Sequence, residues 1–311
     1  MRRIVKEPHS TSFMPPTPDR EKGILTMSAP TATTHYITVN GITLRVATWG
    51  AYTTPERAVM LVHGITASSQ AWMTFGPLLA ARGWYAIAPD LRGRGMSEKP
   101  PHGYGIPFHV NDLLSLADHF NLPIINYVGH SLGAMIGFFL AAIHPPRVGR
   151  LVLVDAGGNL PPDTGKAIGK ALARLGTPYP SFDAYWEAMR APWMAPHEEF
   201  WRDYYRYDVE TYPDSTVMCR VPRAAIVEEV ATNGALNLPV LSEMVRSPAL
   251  IVRATVGMLA PDRGLLLPRE EAERLTRVIP ASRMIEIADA NHYTVILADQ
   301  FTEACRSFLE E

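Results

Sequence analysis

The feature that most limits how this chain can fold is a series of short, mostly apolar runs: Ala58–Val62, Tyr85–Ala88, Ile124–Val128, Leu151–Val154 and Ala249–Arg253. Each is four or five residues long, too short for a helix, and lacks the polar alternation of a half-exposed strand. Such runs are expected for strands buried on both faces. Helical patterns lie between them. Gln70–Arg82 ends before Gly83, a suitable C-cap, and Phe108–Phe120 places Val110, Leu113, Leu114 and Ala117 on one face. Leu132–Ile143 is apolar nearly all round, so it must be buried on most sides. Helices at Arg269–Val278 and Val295–Leu309 flank a strand at Arg283–Ile287. Near the start, His35–Asn40 and Ile42–Trp49 alternate in polarity about Asn40-Gly41, the signature of a hairpin. Strands alternating with helices predict an α/β fold, a mostly parallel sheet covered by helices on both faces, with the hairpin antiparallel at one edge.

The rhythm breaks between residues 157 and 247. That stretch reads as helices only, at about 164–175, 181–190, 197–209, 222–232 and 238–246, jointed by prolines. An all-helical block between two β/α runs is expected to be an insertion over the carboxyl edge of the sheet, where ligands bind in open α/β sheets. Residues 1–33 are proline-, serine- and threonine-rich without apolar periodicity and read as a disordered lead, with Met27 a possible start. The 311 residues, which alone suggest about two domains, thus resolve into one core (34–156 and 248–311), a helical cap (157–247) and the lead. The 27 prolines crowd into lead and cap, and the buried runs carry none.

Composition excludes several classes. Hydrophobic residues are 47% and charged residues 19%, enough apolar material for a sizeable core. The net charge of −2 offers nothing to nucleic acid or an anionic membrane. Arg2 and Arg3 are not followed by the apolar run of an export signal, and no run approaches the roughly 18 apolar residues of a membrane span, so a cytoplasmic protein is expected. Cys219 and Cys305 are too few for a disulfide framework, and Cys305, beside Phe301, Phe308 and Leu309, reads as a core thiol. The ten histidines lack ligand spacing, and Gly93-Arg94-Gly95 lacks a dinucleotide-site context, so neither metal nor cofactor is expected. Oligomeric state is left open.

The chemistry concentrates at Gly129-His130-Ser131-Leu132-Gly133, where a buried strand meets a buried helix. A serine there sits on a sharp turn that needs small residues two positions away on each side, and its hydroxyl stands above the sheet at a helix N-terminus. A free serine hydroxyl is a poor nucleophile near pH 7 and needs a base, which in turn needs an orienting acid. His292, in Asp289-Ala290-Asn291-His292-Tyr293, follows the last strand and emerges at the same edge as Ser131. His63-Gly64-Ile65 opens on that edge too; His63 reads as a structural hydrogen-bonding residue.

From about His35 onward the chain resembles the α/β-hydrolase superfamily. The resemblance rests on His63-Gly64, Asp90-Leu91-Arg92-Gly93-Arg94-Gly95-Met96-Ser97, Gly129-His130-Ser131-Leu132-Gly133 and Asn291-His292, in that order. It implies Ser131 as nucleophile, His292 as base, and an oxyanion hole formed by the Ile65 and Leu132 backbone N–H groups. It places the acid after the strand that follows the cap, where Asp262 stands thirty residues before His292. Asp155, at the end of the strand after the nucleophile helix, is the alternative that some relatives use. Asp90–Ser97 reads as loop packing through an Asp–Arg pair, not as catalytic.

Eleven of the chain's 28 aromatic residues fall between Tyr179 and Tyr212. Most are expected to form the cap's own core. His130, Trp186, Trp193, Tyr204 and Tyr293 are candidates for the substrate pocket, where aromatic area with a polar handle suits an ester or lactone. The expected activity is carboxylic ester or lactone hydrolysis through an acyl-enzyme, with substrate and water as the only partners. Carbon–carbon bond hydrolysis and cofactor-free haloperoxidase or perhydrolase activity would use the same serine and histidine. A binding protein on the same fold is the non-enzymatic alternative. Epoxide hydrolase and haloalkane dehalogenase are disfavoured, because relatives of those kinds need a carboxylate where Ser131 stands.

Overall fold

The computed structural model describes residues 31–159 and 161–311. Most of the expected lead, with Met27, lies outside the described residues. Its last residue, Thr33, is already paired with Thr48, so the sheet begins slightly earlier than the polarity pattern suggests. The first half of the core runs β1 (Thr33–Val39), β2 (Ile42–Trp49), β3 (Ala58–Val62), α1 (Phe75–Ala80), β4 (Tyr85–Pro89), α2 (Ile106–His119), β5 (Ile125–His130), α3 (Leu132–Ile143) and β6 (Val148–Val154). An inserted segment follows, with α4 (Thr164–Ala167), α5 (Gly169–Ala173), β7 (Pro178–Tyr179), α6 (Phe182–Met189), α7 (Glu198–Asp208), β8 (Val209–Thr211), β9 (Val217–Cys219), α8 (Arg223–Gly234) and α9 (Leu238–Leu241). The core then resumes with β10 (Ala249–Ala254), α10 (Arg269–Val278), β11 (Ser282–Ile287) and α11 (Asp299–Glu310).

Eight strands form one sheet in the order β1-β2-β4-β3-β5-β6-β10-β11. β1 and β2 are antiparallel, joined through Asn40 (φ 49°) and Gly41 (φ 78°). Two successive positive φ angles are what a two-residue hairpin with the right twist demands. β2 is antiparallel to β4, and every later pairing is parallel. The strand period of two divides the core into two layers. In β3, Ala58, Met60 and Val62 face the cluster built on α2 and α3, while Val59 and Leu61 face the one that holds Phe301, Cys305 and Phe308 of α11. Cys305 is therefore a core thiol, and burial pushes its pKa up. Each such fully buried aliphatic side chain contributes about 1.5–3 kcal/mol.

The inserted segment departs from the expected composition of helices alone. Three short strands form an antiparallel sheet in the order β7-β9-β8, each of only two or three residues and so too short to register as polarity alternation. The run Gln70–Arg82 is also not one helix: a 3-10 turn over Ser69–Trp72, capped by the Ser68 hydroxyl, precedes the six-residue α1. β4 extends one residue beyond the apolar run, to Pro89, where it pairs with Val46.

The junction of β5 and α3 is packed without slack. A β-carbon on Gly133 would stand 2.1 Å from the Val62 carbonyl oxygen, and one on Gly129 would stand 2.3 Å from that of Gly133. Gly133→Ala is therefore expected to destabilise the fold by about 1–3 kcal/mol through forced backbone displacement, read as a lowered urea midpoint. An unchanged midpoint would show that the helix does not press on β3.

Candidate active site

Three parallel strands deliver the chemistry to one edge. Ser131, immediately after β5, has φ 57° and ψ −119°, a strained conformation for a non-glycine residue that costs about 1–3 kcal/mol. Its own N–H donates to the Val154 carbonyl at 3.0 Å, and its carbonyl accepts from Ala134 at 2.9 Å. The turn is thereby fixed between β6 and the first turn of α3, where the Leu132 N–H has no carbonyl of its own helix to meet. Gly64 comes so close that a β-carbon there would stand 3.5 Å from the Ser131 Oγ.

His292 follows β11 and is 4% exposed. Its Nδ1 donates to Asp155 Oδ2 at 2.8 Å. A carboxylate only accepts, so Nδ1 is the donor in this pair. Asn291 holds the histidine's loop, its Oδ1 accepting from the backbone N–H groups of Tyr293 and Thr294. His130 Nε2 donates to the His292 carbonyl at 2.7 Å, and the two rings lie 4.6 Å apart. Burial, reinforced by the neighbouring His292, holds the His130 pKa well below the usual histidine range, so its ring is neutral.

The acid is where the structure corrects the sequence expectation. Asp155, not Asp262, is the partner of His292. Asp155 stands at the end of β6 with φ 52°, its backbone N–H donating to the Val252 carbonyl and its Oδ1 accepting from the Ala254 N–H at 2.9 Å. Asp262 is exposed on a tight turn closed by hydrogen bonds between Ala260 and Arg263. The long loop after β10 spends its length on that turn and presents no carboxylate to the histidine.

His63 has the structural place expected of it. Its Nδ1 donates to the Gly64 carbonyl at 2.8 Å, and its Nε2 accepts from the Leu91 N–H at 3.0 Å. Burial lowers its pKa to about 4. The Asp90–Ser97 loop is held differently from the expected Asp–Arg pair. Asp90 accepts from the backbone N–H groups of Ser69 and Met96 and from the Tyr207 hydroxyl. The arginines pair elsewhere, Arg92 with Asp112 and Arg94 with Glu229.

Ser131 and His292 line a common cavity of about 40 Å³. Gly64, Ile65 and Ala71 line it from the core, and Ile168, Leu172 and Trp201 from the inserted segment. His130, Tyr204 and Tyr293 also line it, as the sequence suggested. Trp186 and Trp193 do not. Trp186 packs on Met194 and Trp201 inside the inserted segment, and Trp193 lies behind Tyr293, stacked on it at 5.1 Å. Both serve the segment's own core, a role that aromatic spacing cannot separate from lining a pocket. Among the described lining residues none is Asp, Glu, Lys or Arg. Burial raises the pKa of both tyrosines, so their hydroxyls remain neutral.

The family model described as alpha/beta hydrolase fold matches residues 57–299. An uncharacterised Mycobacterium tuberculosis protein is 39% identical over 101 residues, covering 32% of this chain and 29% of that protein's length. A 3-hydroxybutyrate-oligomer hydrolase of Cupriavidus necator is 27% identical over 260 residues, covering 78% of this chain and 85% of its own. The solved structure of E-2-(acetamidomethylene)succinate hydrolase superposes with a TM-score of 0.75 at 21% identity, covering 90% of this chain and all of that one, a likeness of fold.

The neutral buried histidine sets a pH dependence. His63 titrates near 6.5 when unfolded and near 4 when folded, so the unfolded chain binds more protons between those values. Stability is full above pH 6.5 and falls as pH drops toward 4, by on the order of 3 kcal/mol for this group. His130 acts in the same direction. Urea midpoints measured from pH 7.5 to pH 4.5 should fall, and His63→Gln should flatten the slope.

Proposed function

The chain belongs to the α/β hydrolase family, and within it we propose a serine hydrolase that cleaves small, uncharged carboxylic esters or lactones through an acyl-enzyme. One arrangement carries this reading: a strained Ser131 shares a cavity with His292, whose Nδ1 is bound to the buried Asp155. In the proposed reaction Ser131 Oγ attacks the carbonyl carbon while His292 Nε2 takes the hydroxyl proton. Asp155 keeps the imidazole in that tautomer and offsets the charge it gains. The Ile65 and Leu132 N–H groups receive the oxyanion. In a trans peptide the N–H points opposite to the carbonyl. The Gly64 carbonyl is turned onto His63 Nδ1 and the Ala67 N–H, so the Ile65 N–H faces the other way. His292 then protonates the leaving alkoxide, and water repeats the attack on the acyl-enzyme with the same residues.

The absence of charged groups among the described lining residues and the small cavity support an uncharged, short acyl group. Its affinity is expected to come from apolar contact with Ile65, Leu172 and Trp201. The relative named for hydrolysing 3-hydroxybutyrate oligomers supports an ester between short acyl units as the bond cleaved.

Ser131→Ala should lower kcat on p-nitrophenyl acetate or butyrate on the order of 10⁴-fold or more. A fluorophosphonate probe should label wild-type Ser131 and leave the variant unlabelled. Near-normal turnover by the variant would sink the proposal. Asp155→Asn should lower kcat by about 10²–10⁴-fold, whereas Asp262→Asn should stay within about twofold of wild type, since its carboxylate is exposed and away from His292. Equal losses in the two variants would return the acid to the longer loop.

A further inference from the structure

Three successive carbonyls of the loop after β3 are held from behind. Gly64 O accepts from His63 Nδ1 and from the Ala67 N–H. Ile65 O accepts from Arg94 Nε at 2.9 Å. Thr66 O accepts from Arg174 at 2.8 Å, and the same guanidinium reaches the Thr66 hydroxyl at 3.3 Å. Both arginines are buried, and both are neutralised by the inserted segment. Arg94 pairs with Glu229 of α8 at 2.6 Å, and that carboxylate also accepts from His109 of α2. Arg174, just after α5, pairs with Asp208 at the end of α7 at 3.0 Å. The Tyr185 hydroxyl donates to Asp208 as well, and Arg174 donates to the Ala171 carbonyl of α5. The proposed reaction uses none of these charges.

Resting on the hydrolase reading above, we propose that Arg174 is a positioning residue: reaching from the inserted segment, it clamps the loop that supplies the Ile65 N–H, so the oxyanion site takes its working shape only while that segment is seated on the core. A guanidinium is suited to this because its fixed fork satisfies a backbone carbonyl, a hydroxyl and a carboxylate at once. A Lys ammonium is a single point charge without that fork, and an apolar residue has no donor. The cavity is small and partly roofed by Ile168, Ala171 and Leu172, which stand beside Arg174 in sequence. Lifting those residues to admit substrate moves Arg174 off Thr66. Reseating them restores the loop, which ties the oxyanion donor to the presence of an enclosed substrate.

The test removes the pair together, Arg174→Met with Asp208→Asn, so that no buried charge is left without a partner. With p-nitrophenyl acetate, kcat should fall about 10- to 100-fold while KM stays within about threefold. The Ki of phenylboronic acid, whose tetrahedral adduct on Ser131 needs the same N–H groups, should rise in parallel. A folded variant with kcat and Ki within about threefold of wild type overturns the proposal. Hydrogen exchange on the wild-type protein decides the question even if the variant fails to fold. In low urea, exchange over residues 63–67 should speed up together with that over 164–175. A loop that stays protected while 164–175 opens overturns the clamp. Wild-type protein that neither hydrolyses esters nor labels at Ser131 would remove the hydrolase reading, and the exchange result would still report on the clamp.

Discussion

Everything at the site depends on one backbone conformation, the positive φ of Ser131 between β5 and α3. It is locally unfavourable and survives because its surroundings over-determine it. Val154 and Ala134 hold the peptide on both sides, and Gly129 and Gly133 let α3 press against β3 with no room for a methyl group. The stability of two buried layers is thus concentrated on the one residue that the proposed chemistry uses. It also explains why α3 is apolar on nearly every side: a helix driven this far into the sheet has little face left for water.

The electrostatics keep charged side chains out of the described lining of the cavity. His63 and His130 are buried and neutral, each fixed by a backbone carbonyl that only a protonated ring nitrogen can satisfy. The formal charges sit one layer out, as buried pairs between Arg94 and Glu229 and between Arg174 and Asp208. Such pairs add little net stability, because desolvation cancels most of their attraction, but removing one partner is costly. They specify where the inserted segment sits more than they strengthen it.

The core was legible from sequence because buried parallel strands and the turn at Ser131 are local patterns. Apolar runs marked β3, β4, β5, β6 and β10, Asn40-Gly41 marked the hairpin, and the Gly-x-Ser-x-Gly spacing marked Ser131. The acid was harder, since chain distance from His292 does not measure reach across a sheet. Asp155 lies 137 residues from its histidine yet ends a strand separated from β11 only by β10 in the sheet order. The telling signal was its place directly after Leu151–Val154, where the strand itself aims the side chain at the site edge. Inside the inserted segment, strands of two or three residues carry no readable period. Trp186 and Trp193 look like Tyr204 in sequence, although only Tyr204 reaches the cavity.

The hold that β10 has on Asp155 carries a further consequence. The aspartate is fixed by the Val252 carbonyl and the Ala254 N–H, and His292 arrives later still in the chain. A chain emerging from the ribosome therefore completes β1 to β6 and the whole inserted segment while Ser131 has no His292 and Asp155 has no β10 to hold it. Contacts this distant in sequence form late, after the entropy of closing long loops has been met. The proposed reactive centre comes into being with the final strands, so an unfinished or C-terminally clipped chain carries Ser131 without His292 beside it.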